Sequence, residues 1–182
     1  PHQEYALDLK NRDKIDQLFL ASYIAIKEIT EIVGLDKLLV YANTIRHADL
    51  IKYFCNIIIQ SGFFEIKKED IYYKDLHSGR SDLNMSEELE KFKTARFGII
   101  ACVQIFGEGY NEPLLDGVVF SEKMESKIRI IQSTLRPHRL NPNKPGKHAY
   151  ILIPRVDYEE CEAEGHSDPF EKIEQIGIHL KN

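Results

Sequence analysis

Three short runs constrain the fold more than anything else in this chain: "KLLVYAN" at 37–43, "FGIIACVQIF" at 97–106 and "DGVVF" at 116–120. Each is apolar through its centre, with no alternation of polar and apolar positions. Neither face of such a strand is written for water, so both must be covered. Helical patterns lie between them. In "RDKIDQLFLASYIAIKEITEIVG", Ile15, Leu18, Phe19, Ile26, Ile29 and Val33 recur at helical spacing, and Gly34 ends the run. "TIRHADLIKYFCNIIIQSG" reads as a second helix closed by Gly62. "NMSEELEKFK" opens with Asn84 and, three residues on, Glu87, a capping-box-like start. "ESKIRIIQSTLR" is a helix with Ile128, Ile131 and Leu135 on one face. "DIYYKDLHSG" and "HAYILIP" add two more strands, the latter read as buried. Strands that alternate with helices predict an α/β fold: a mainly parallel sheet between helical layers, α/β/α in three layers.

Composition narrows the class. The 182 residues, 43% hydrophobic, suffice for one domain with a real core. A net charge of -5 argues against a strongly basic nucleic-acid module but is compatible with a basic strip on one face. Cys55, Cys102 and Cys161 are odd in number and far apart, the pattern of reduced thiols in an intracellular protein. Cys102, inside a strand, reads as a small core hydrophobe. Cys161 and His166 are only two potential zinc ligands, so no metal site is expected. No apolar run reaches the roughly 18 residues of a membrane span. The opening "PHQEY", without a methionine, reads as the start of a piece of a longer protein. After Pro154, "RVDYEECEAEGHSD" reads as an acidic linker and "PFEKIEQIGIHL" as a short amphipathic helix.

In an open α/β sheet, ligands bind beyond the carboxyl ends of the strands. The segments to inspect are therefore "ANT" (42–44), "LHSG" (76–79), "VQIFGEGYNEP" (103–113) and "QSTLRPHR" (132–139). Gly107 and Gly109 would let backbone approach a ligand closely, or simply form a strand-exit turn. Gln132 and Arg136, four apart, share a helix face. Pro137 cannot continue a regular helix, which puts Arg136 at its end and Arg139 in the turn. Arginines so placed suit bidentate phosphate binding, and equally a solvated helix terminus. The chain has no P-loop: "NKPGKH" lacks the upstream glycine, and His148 stands where Ser or Thr is required.

Taken in order, "KLLVYANTIRHAD", "LHSG", "GIIACVQIFGEGYNEPLLDGVVF", "IIQSTLRPHRLNP" and "AYILIP" resemble the C-terminal RecA-like domain of a superfamily 2 helicase. The similarity is greatest to the branch of excision-repair helicases and restriction-enzyme motors, and it covers residues 36 to 154. The resemblance implies a core domain at 36–155, preceded by a helix at 1–35 and followed by linker and helix at 156–182. It implies ATP with Mg²⁺, bound mainly by an N-terminal RecA-like domain of the same parent chain. Arg136 and Arg139 would be arginine fingers in phosphoryl transfer. Gln132, Gly109 and Asn111 would contact the nucleotide. Asn43, Thr44, His77, Ser78, Gly79, Val103 and Gln104 would face a nucleic-acid backbone, DNA in preference to RNA. The chain departs from the family pattern at Leu135 (usually glycine), Pro137 (usually helix), Asn111 (usually aspartate) and Val103 (often threonine). A non-catalytic RecA-like module that binds protein or nucleic acid is the alternative these departures leave open.

Overall fold

The computed structural model describes residues 12–77, 82–103, 114–139 and 141–154, together with Phe170 and Ile173. Within them the order is α1 (Arg12–Glu31), β1 (Lys37–Tyr41), α2 (Ile45–Gln60), a short 3-10 turn (Lys68–Asp70), β2 (Ile71–Leu76), α3 (Met85–Thr94), β3 (Phe97–Cys102), β4 (Gly117–Phe120), α4 (Lys127–Leu135) and β5 (Tyr150–Leu152). The strands form one sheet in the order β2-β3-β1-β4-β5, and every pairing is parallel.

The sheet explains why the strands lack alternation. Successive side chains point to opposite faces. Leu38 and Val40 pack with Leu18 and Ile26 of α1 and Ile51 and Cys55 of α2. Leu39 and Tyr41 pack on the other face with Phe92 of α3 and Ile130 of α4. Both faces are apolar because both are covered. Cys55 and Cys102 behave as core residues, and burial pushes their thiols up to about 12; Cys161 lies outside the described residues.

Local signals place the helix ends. Thr44 caps α2 by accepting from His47 N (3.1 Å), Asn84 caps α3 from Glu87 N (3.4 Å), and Ser126 caps α4 from Arg129 N (3.3 Å). Gly34 and Gly62 follow α1 and α2 at φ 90° and 69°, conformations that favour glycine. At the amino edge of the sheet, the fully buried Asp116 accepts from the backbone of Asp36 and Lys37 (2.9 and 3.0 Å) and from Lys144 Nζ (3.0 Å).

Three expectations change. The last strand, β5, is only half-buried, because it is an edge strand with β4 as its one neighbour. Phe19 is exposed on α1, and Val33, also exposed, lies beyond the last residue of that helix, Glu31. Ile128, Ile131 and Leu135 do share a face of α4, but that face is exposed; Ile130, Ser133 and Thr134 meet the sheet instead. Thr134 is tolerated there because its hydroxyl donates to the carbonyl of Ile130 (3.0 Å). Phe170 and Ile173, the two described residues after Pro154, are buried in the core cluster that also holds Phe92 of α3 and Ile130 of α4.

Gly98 on β3 tests this packing. An added Cβ would lie 2.5 Å from Phe92 Cδ2 and 3.1 Å from Lys37 Cδ. Phe92 is 1% exposed, so its ring would have to shift within the packed core, and Gly98→Ala should cost about 1–3 kcal/mol. A lowered midpoint of chemical denaturation is the expected result; an unchanged midpoint would mean that Phe92 has room to move.

Candidate nucleotide and nucleic-acid site

The arginine-bearing segment is built as its sequence suggests. α4 runs to Leu135, and Arg136 is its C-cap, still helical at φ −61° and ψ −50°. Pro137 is buried, and Arg139 N donates to Arg136 O (3.3 Å), so Arg139 sits in the following tight turn. His138 Nδ1 donates to Thr134 O (2.8 Å) and so satisfies a terminal carbonyl of the helix. Gln132 is exposed, while Arg136 and Arg139 are half-buried.

The helix lies beside the carboxyl ends of the two central strands. Tyr41 ends β1 and Cys102 ends β3, and both feel the positive charges of Arg136 and Arg129. Burial dominates, so both side chains stay protonated, held above their ordinary ranges. The connections from these two adjacent strands diverge: the chain leaves β1 toward β2 at one edge and leaves β3 toward β4 on the other side of β1.

The strand-exit loops contribute unequally. Asn43 and Thr44 are exposed but already bonded: Asn43 N donates to Glu122 Oε2 (2.8 Å), Asn43 Nδ2 donates to Lys123 O (2.9 Å), and Thr44 Oγ1 caps α2. His77 is largely buried at the end of β2, its Nε2 3.7 Å from Asp75 Oδ2. Val103, half-buried, directly follows β3. Ser78, Gly79, Gln104, Gly109 and Asn111 lie outside the described residues.

Two residues of this edge escaped the sequence reading. The first is Glu122, whose side chain is 1% exposed. It accepts from Asn43 N, from His47 Nδ1 (2.9 Å) and from Lys14 Nζ (2.8 Å), joining α1, the β1 exit and α2. Burial alone would raise its pKa, but His47, Asn43 N and Lys14 together outweigh it and hold the carboxyl at about 2. Its position was the available signal: it is the first charged residue after an apolar strand, at the ligand edge. The second is Arg129, whose Nη2 donates to Val103 O (3.0 Å). Its offsets of three and seven from Gln132 and Arg136 put all three on neighbouring rows of one helix.

The chain belongs to the helicase conserved C-terminal domain family, with residues 21–141 matched. No curated protein sequence matches it significantly. Its fold is similar to the ATP-dependent Type ISP restriction-modification enzyme LlaBIII bound to DNA, at 17% identity and TM-score 0.60, covering 88% of this chain and 11% of that one. It is also similar to domain 2 of the DEAD-box helicase Mss116p bound to an RNA duplex, at 17% identity and TM-score 0.52, covering 77% and 50%. T4 UvsW matches at 15% identity and TM-score 0.56, covering 96% and 35%. The chain thus spans half or less of each of these three proteins, and at such identities the likeness is one of fold. The RecA-like α/β architecture and the helicase C-terminal domain read from the motifs hold.

Proposed function

We propose that this chain is the second RecA-like domain of an ATP-dependent nucleic-acid helicase or translocase. The observation that carries this reading is α4: a helix beside the ends of β1 and β3 that bears Gln132 and Arg136, with Arg139 in the turn that follows. In the closed motor, Arg136 and Arg139 stabilise the charge that develops on the γ-phosphate. Gln132, Gly109 and Asn111 contact the nucleotide. The P-loop and the Mg²⁺ carboxylates belong to a preceding RecA-like domain. The exposed apolar stripe of Ile128, Ile131 and Leu135, next to Gln132, suits a face covered by that domain. Asn43, Thr44, His77, Ser78, Gly79, Val103 and Gln104 form this domain's side of a backbone groove. DNA is the favoured substrate, in line with the restriction-motor resemblance.

Half of a split site should not turn over. The chain alone is expected to show no ATP hydrolysis above background and only weak nucleic-acid binding that falls steeply with salt. Both are measured on the purified chain. Robust magnesium-dependent turnover, or tight binding indifferent to ionic strength, would contradict the split-site reading.

A further inference from the structure

We propose that Arg129 is a positioning residue that ties the arginine-bearing helix α4 to Val103, the residue that directly follows β3. The inference rests on the function proposed above and adds a residue through which nucleic-acid contact would reach ATP chemistry. Three observations support it. The main-chain ladder between the central strands extends to the bond from Ala42 N to Cys102 O (2.8 Å). The next carbonyl along β3's exit, that of Val103, is held instead by the Arg129 guanidinium at 3.0 Å. Arg129 is seven residues before Arg136, two turns along the same flank of a single helix.

The helix can carry a displacement between these points. Its first turn is fixed by the Ser126 cap, and Ile130 anchors it in the core. The intervening residues Ser133 and Thr134 are buried against the sheet. A shift of Val103, at the head of the segment proposed to meet nucleic acid, therefore pulls on the same rigid body that carries Arg136. Arginine suits this role because one charged N–H can hold a neutral carbonyl while the planar head stays oriented. Nothing in this arrangement requires Arg129 to touch the nucleotide.

The test is ATP turnover by the intact protein, with and without single-stranded DNA or RNA, for wild type, Arg129→Ala, Arg129→Lys and Arg136→Ala, with thermal unfolding as a control. Arg129→Ala should lower the ratio of stimulated to unstimulated turnover about tenfold and raise the nucleic-acid concentration needed for half-stimulation. Arg129→Lys should recover part of that ratio, because an ammonium still donates to a carbonyl. Arg136→Ala should lower both rates together. An Arg129→Ala protein stimulated like wild type would overturn the inference alone. So would equal losses in both rates, which would assign Arg129 to the nucleotide or to stability. A wild-type ATPase that ignores DNA and RNA would remove the functional reading, and this inference with it.

Discussion

Replacing Arg136 or Arg139 by alanine in the intact protein should lower ATP turnover about a thousandfold or more, the loss expected when an arginine finger is removed. ATP affinity should change far less, because the proposed preceding domain makes most of the ground-state contacts. Lysine should rescue neither variant, since a point charge cannot reproduce a planar bidentate contact. Arg136 ends the helix and Arg139 lies in the turn beyond the buried Pro137, so the two guanidiniums leave different backbone segments. Measured side by side, the variants separate two arrangements. Loss in both means that both arginines reach the phosphate. Loss in Arg136→Ala with near-normal Arg139→Ala means that the turn at Pro137 aims Arg139 elsewhere. Normal turnover in both would reduce "QSTLRPHR" to a solvated helix terminus.

Glu122 should dominate the acid response of the fold. Its carboxyl is held at about 2, against an ordinary 4.5, by His47, Asn43 N and Lys14. The folded value is depressed, so the stabilisation is fully present above pH 4.5 and is lost as pH falls through about 2. A difference of that size corresponds to roughly 3 kcal/mol at neutral pH. Glu122→Gln keeps the shape but turns one acceptor into a donor facing the same three donors. It should lower stability at pH 7 by about 2–3 kcal/mol and flatten the pH dependence between 4.5 and 2. Denaturation midpoints across that range check it. A variant that matches the wild-type profile at every pH would show that the three contacts add nothing to folding.

The difference between what the sequence reveals and what it hides is physical. Strands covered on both faces announce themselves, because burial on two sides leaves no alternation of polar and apolar positions; "KLLVY" and "GVVF" are buried at every residue. Caps are equally direct, since a single side-chain oxygen answers a single backbone N–H, as Asn84 does for Glu87. Periodicity is weaker information about orientation. Ile128, Ile131 and Leu135 share a face, but nothing in their spacing says whether that face meets this sheet or another surface. Here Ser133 and Thr134 sit against the sheet, small enough for close approach. Hubs such as Glu122 stay hidden for a different reason. Its donors come from positions 14, 43 and 47, and only the fold brings residues so far apart in sequence to one carboxylate. Arg129 lies within the motif region, yet its partner is a main-chain carbonyl 26 residues away, which side-chain patterns do not encode.

The most direct test of the account is ATP hydrolysis by the intact protein as a function of added single-stranded DNA and RNA. The proposed motor predicts magnesium-dependent turnover that rises with nucleic acid, more with DNA than with RNA, and that collapses in Arg136→Ala. An intact protein that hydrolyses no ATP, or whose turnover is indifferent to both nucleic acids, would contradict it.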